Sequence, residues 1–175
     1  FNGRKIDDGI SVIHGHFQYS ELIKTVRLPE GVPVITWMRH PVERVISNYF
    51  YLEKILREEL DEEKKGLNIL AKMQKTLREY ASTEANRNRM SKFLDGADLS
   101  ALFFTGIVEY YEEDLAALAS MLGWKEYAIL KQNITGNRPD VDKETIEFIR
   151  SLNGKDCELY QRALEIRAER INKGK

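Results

Sequence analysis

The stretch "VIHGHFQYSEL" carries two of the chain's three histidines, His14 and His16, separated only by Gly15. On a strand, residues two apart project from the same face, and such a pair suits three kinds of chemistry. Neutral imidazole takes a proton from a hydroxyl near pH 7. Two imidazoles also begin a metal site, which needs a third and usually a fourth ligand. The pair can equally be ordinary hydrogen-bonded strand residues. His40 is the remaining histidine and Cys157 the single cysteine. No metal-ligand spacing surrounds them, so no metal is expected. The base and the packed pair both stay open.

A second constellation follows the apolar run "VPVITWM" in "RHPVERVIS". Arg39 would leave the end of a strand, Pro41 suits the first position of a helix, and Ser47 lies two turns in. A helix start has free N–H groups and a positive dipole end. Arg39 adds a fork of donors and Ser47 a hydroxyl, which together suit a phosphate monoester. The plainer alternative pairs Arg39 with Glu43 and bonds Ser47 back to the Glu43 carbonyl. Further on, "KQNITGNRPD" is polar and glycine-punctuated, the kind of loop that folds over a ligand. Arg138 is the candidate for a second phosphate contact, with Lys131 behind it; otherwise the segment is a connection to a helix cap at Asp142. In "ANRNRMSK", Arg87, Arg89 and Lys92 either meet an anion or form a solvated face. Tyr19 is a candidate for stacking on a sugar ring.

The elements that must position these residues read as an α/β protein. "GISVIHGHF", "VPVITWM" and "ALFFTGIVE" read as buried strands, their continuous apolar character fitting a parallel sheet. Helices are expected over "PVERVISNYFYLEKILREEL", with a stripe through Val42, Val45, Ile46, Tyr49 and Leu52, and over "LNILAKMQKTLREYA". Another is expected over "STEANRNRMSKFLDG", capped by Ser82 or Thr83. "YEEDLAALASMLGW" should stop at Gly123, and "DKETIEFIRSLN" leads to a last helix striped by Leu159, Ala163, Ile166 and Ile171. The expected fold is a parallel sheet flanked by helices, with a helix-rich C-terminal half. In such folds ligands bind outside the carboxyl ends of the strands, which points to the residues after "VPVITWM".

Composition sets limits. The 175 residues suit one domain, and 42% hydrophobic with 31% charged residues is ordinary for a globular protein. A net charge of −1 supplies no global field for nucleic acid or an anionic membrane, so neither is expected as a partner. No apolar run reaches the length of a membrane span. One cysteine excludes an internal disulfide and favours a reducing compartment, the cytoplasm. "FNGRKIDDGI" lacks both an initiator Met and the apolar segment of a signal peptide, so an N-terminally truncated chain is expected.

The stretch "VITWMRHPVERVISNYFYL" closely resembles the segment that binds the 3′-phosphate of PAPS (3′-phosphoadenosine 5′-phosphosulfate) in sulfotransferases. The likeness is greatest to the branch that contains heparan sulfate 2-O-sulfotransferase and related bacterial proteins. Arg39, Pro41, Glu43, Arg44, Ser47 and the aromatics Tyr49, Phe50 and Tyr51 fall on its pattern. "HGHFQYSEL" is similar to its His-Gly-His strand, and "FTGIVEYYEEDLAALASMLGW" and "KQNITGNRPDVDKETIEFIRSLNGKDCELYQRALE" resemble its later segments. The resemblance implies a P-loop NTPase-like sulfotransferase architecture over the whole chain. It also implies PAPS as sulfuryl donor without a metal, and 3′-phosphate contacts from Arg39 and Ser47. His16 becomes the general base that activates an acceptor hydroxyl, with His14 as its auxiliary.

Two features depart from the pattern. The family's Asp after the arginine is His40 here, and the family's Lys-Thr-Gly-Gly-Thr-like 5′-phosphosulfate loop has no counterpart in "FNGRKIDDGI". The balanced charge disfavours a polyanionic polysaccharide acceptor and leaves neutral carbohydrates, small hydroxyl compounds or lipids. The expectation from sequence is therefore a PAPS-dependent sulfotransferase. The alternatives are a non-catalytic PAP-binding module of the same fold and a P-loop phosphotransferase, against which the lack of "GxxxxGK[ST]" speaks.

Overall fold

The computed structural model describes residues 12–26, 28–61, 75–129 and 138–173. In chain order the elements are α1 (Tyr19–Thr25), β1 (Ile35–Met38), α2 (Pro41–Asp61), α3 (Leu77–Ser82) and α4 (Arg89–Phe93). Then follow β2 (Phe104–Ile107), α5 (Tyr111–Leu122), α6 (Lys143–Ser151) and α7 (Gly154–Lys173). Single 3₁₀ turns at Glu84–Asn86 and Val108–Tyr110 precede α4 and α5. Helices therefore outweigh the two strands.

β1 and β2 pair in parallel, from Ile35 opposite Phe104 to Met38 opposite Ile107. Parallel neighbours need a long crossover, and α2, α3 and α4 supply it. Trp37 lies opposite Gly106, and its ring carbons stand 2.5–2.7 Å from where a Gly106 Cβ would be. Only glycine lets that indole lie flat across the neighbouring strand. All four residues of β2 are buried, as a continuous apolar run implies, whereas Ile35 on β1 is exposed.

Two of the three expected strands are thus present. The third does not form over its described part: residues 12–18 take no strand conformation, with a bend at Gly15 and Val12 78% exposed. The cause is local. The chain folds back so that the Phe17 ring lies where a side chain at position 15 would be, 2.7 Å from an ideal Cβ. A bend of that kind ends the alternation a strand needs.

The apolar stripe of α2 holds over its first two turns. Val42, Val45 and Ile46 are buried against Ala81 of α3 and Ile149 of α6, while Leu52 is 43% exposed. A second cluster joins Met38 and Ile107 of the strands to Leu99 and to Tyr160 and Ala163 of α7. Asp142 caps α6 by accepting from the Thr145 N–H at 2.8 Å, and α5 ends at Gly123 with φ +68°, both as expected.

The middle of the chain departs from expectation. α3 is capped by Thr76, whose side chain and that of Glu79 bond reciprocally to each other's backbone N–H. It stops at Ser82, because the Asn86 amide bonds the Tyr80 carbonyl and the Thr83 hydroxyl, and Asn88 turns left-handed at φ +47°. The expected long helix becomes a 3₁₀ turn and the five-residue α4.

Polar groups hold these pieces together. Asp156, fully buried on α7, accepts from the N–H groups of Met90 and Ser91 at 3.0 and 2.8 Å. Beside β2, Asp114 of α5 accepts from the Ile107 N–H at 2.8 Å and from Arg167 and Arg170 of α7. Arg170 also donates to the Thr105 carbonyl at 2.9 Å.

Candidate anion site at the end of β1

The two strand ends are tied before the site begins. Glu109, just past β2, accepts the His40 backbone N–H through one carboxylate oxygen at 2.8 Å and the Tyr160 hydroxyl through the other at 3.0 Å. This fixes the bend at which the chain leaves β1 and enters α2. Pro41 is the first residue of α2, so the helix presents its uncommitted first-turn N–H groups and dipole at the carboxyl end of the sheet.

Three side chains gather at that helix start. Arg138 donates to Glu43 at 2.8 Å, although the two lie far apart in the chain. Glu43 is held below the usual carboxylate range, first by the Arg138 hydrogen bond and further by the charges of Arg138, Arg39 and His40, against the opposing effect of burial. Arg39 is half-buried beside Glu43, and it forms no ion pair among the described residues. The expected alternative, Glu43 pairing with Arg39, is therefore not what the fold adopts. Glu43 engages Arg138 and leaves the Arg39 fork available.

Ser47 follows Glu43 by one helical turn and so lies on the same face. It is half-buried and makes no back-bond to the Glu43 carbonyl of the kind that Ser82 makes to Arg78. The helix start brings together the Arg39 guanidinium and the Glu43–Arg138 pair, and Ser47 stands one turn further along the Glu43 face. The chemistry of such a set suits a tetrahedral anion, with Glu43 balancing Arg138 and Arg39 carrying the unbalanced charge.

The other sequence candidates are distributed differently. His14 and His16 are exposed, and the His16 ring meets Phe93 of α4 edge-on at 6.3 Å. Among the described residues no hydrogen bond, ion pair or ring contact joins either histidine to Arg39, Glu43 or Arg138. Lys131 and Asn133 lie outside the described residues. Lys92 pairs with Glu84, and Arg89 lies over Phe93 at 5.6 Å, so the basic run is largely spent on its own neighbourhood. No group of three or more His, Cys, Asp or Glu able to hold a metal occurs among the described residues, and no helix there is long and apolar enough to cross a membrane.

Reading the sequence alone missed Glu109 and Tyr160, which set the geometry around His40. Glu109 carried a usable signal, since it follows a strand end as Arg39 does. Tyr160 carried none, being one aromatic among many on a long helix. No family model, curated protein or solved structure matches the chain.

Proposed function

We propose that this chain binds the 3′-phosphate of PAPS at the start of α2 and transfers its sulfuryl group to an acceptor hydroxyl. The observation that supports the reading is the convergence of Arg39, Glu43 and Arg138 at one helix start, with the Glu43–Arg138 pair leaving Arg39 without a carboxylate partner. Arg39 and Ser47 bind and orient the phosphate, and Arg138 closes over it from its anchorage on Glu43. When bound, PAPS supplies an activated sulfuryl group with the nucleotide phosphate as leaving group. His16, exposed to solvent, receives the proton of the acceptor hydroxyl, and His14 positions it.

Calorimetry with adenosine 3′,5′-bisphosphate tests the binding step. Arg39→Ala should weaken it at least about tenfold, or 1.4 kcal/mol, and an unchanged affinity overturns the reading. His16→Ala should lower sulfuryl transfer to neutral sugar or small hydroxyl acceptors about a hundredfold while leaving nucleotide affinity intact. A second reading, a nucleotide-binding module without catalysis, draws on the lack of contact between the histidine pair and the anion cluster. It expects the Arg39→Ala loss of affinity with no transfer by either protein.

A further inference from the structure

Trp37 and Tyr111 make an aromatic surface that the core does not use up. Trp37 rests on the bare backbone of Gly106 and stands 6.1 Å from the Phe104 ring. Tyr111, the first residue of α5, meets it at 4.9 Å with the ring planes tilted by 46°. Both rings reach solvent, since Tyr111 is 37% exposed and Trp37 is only partly covered. The direction of Arg39 follows from that of its neighbours. Met38 shares a core cluster with Tyr160 of α7, and the His40 ring stands edge-on to the same Tyr160 at 5.5 Å. Residues 38 and 40 thus face one side of the sheet, so the alternation of the strand continues past its last paired residue. Trp37 and Arg39 face the other side. Arg39 forms no ion pair among the described residues. An uncommitted cation therefore leaves β1 on the side of the ring pair, two residues or about 6.6 Å further on.

We infer that Trp37 and Tyr111 form the platform on which the nucleotide's base stacks while Arg39 takes its phosphate. This rests on the nucleotide reading proposed above and adds to it the residues that hold the base. The combination selects the class of ligand. A nucleotide carries a flat ring and an anion one ribose apart, which matches an aromatic pair and a guanidinium at this spacing. Inorganic phosphate would leave the rings idle, and a neutral sugar would leave Arg39 without a counter-charge. Exposed aromatic surface is costly to keep in water unless something covers it, and a base does so with its π-face. Stacking tolerates any base, so the platform supplies affinity rather than choice among bases.

The test follows the fluorescence of Trp37 in a Trp124→Phe background, these being the chain's two tryptophans. Adenosine 3′,5′-bisphosphate should quench Trp37, and inorganic phosphate should not. Calorimetry with the same nucleotide then compares the full chain with Tyr111→Leu and Arg39→Ala. Tyr111 is exposed at the start of α5, so its substitution should leave the fold intact. Tyr111→Leu should weaken the nucleotide about tenfold, the worth of one stacked base. An unquenched Trp37, one quenched equally by phosphate, or an affinity untouched by Tyr111→Leu overturns the platform, while an Arg39→Ala loss keeps the nucleotide reading. If Arg39→Ala binds the nucleotide normally, that reading itself fails and the platform with it.

Discussion

One carboxylate decides which guanidinium is committed at the start of α2. Glu43 could reach either neighbour, and it takes Arg138. Its lowered pKa gives a pH dependence with a definite sign. A depressed carboxyl stabilises the fold above its unfolded pKa, and that contribution disappears as pH falls through the folded value. The Arg138 tether should therefore persist through neutral pH and release only below 4.5, the ordinary value for the group. Carboxyl-detected NMR should find the Glu43 midpoint below 4.5, and Arg138→Met should move it upward. A midpoint unmoved by that substitution would assign the depression to some other group. Arg39 and Ser47 were legible as candidates because strand, proline and helix are consecutive in sequence. The choice made by Glu43 was not, because its partner comes from a distant stretch of chain.

At the scale of elements, the helices that carry their own start and stop signals were legible: α6 with Asp142, α5 with Gly123, α2 with Pro41. α4 was not. Five residues are too few to hold a helix by themselves, and its first N–H groups are met by Asp156 from α7 rather than by a local cap. The stripe of α7 was legible in part, since Ala163 is buried and Leu159 and Ile166 pack against the same core. Its buried line runs through Asp156, Tyr160, Ala163 and Arg167, half of it polar, while the apolar Ile171 is exposed. Asp156→Ala should destabilise the protein by about 3 kcal/mol or more, since it removes the cap of α4 and the nearby carboxylate that faces the buried Arg44. Urea unfolding measures the loss, and the Met90 and Ser91 amides should exchange faster with solvent. If those amides stay protected, α4 is held by its packing alone.

For the whole molecule, alternating apolar runs and helices correctly implied an α/β protein with parallel pairing. They could not reveal that residues 12–18 bend away instead of joining, because that depends on how Phe17 packs on Gly15. Assembly turns on Asp114, buried where β2, α5 and α7 meet, with Arg167 over the Tyr110 ring at 3.9 Å and Arg170 over Phe104 at 4.1 Å. Asp114→Ala removes the carboxylate that both guanidiniums share, leaving Arg167 with Glu113 and Arg170 with the Thr105 carbonyl, and should cost about 3 kcal/mol. Asp114→Asn, which keeps an acceptor, should cost less, and chemical denaturation ranks the two. Equal losses would mean that charge, rather than hydrogen bonding, makes the joint. The same joint gives the sheet a direction. Along β2 the main-chain groups of Phe104 and Gly106 face β1, while on the outward side the Thr105 carbonyl is taken by Arg170 and the Ile107 N–H by Asp114. An arriving strand finds that flank closed by side chains, so any widening of this sheet must proceed from the opposite flank, beside Ile35 and Trp37.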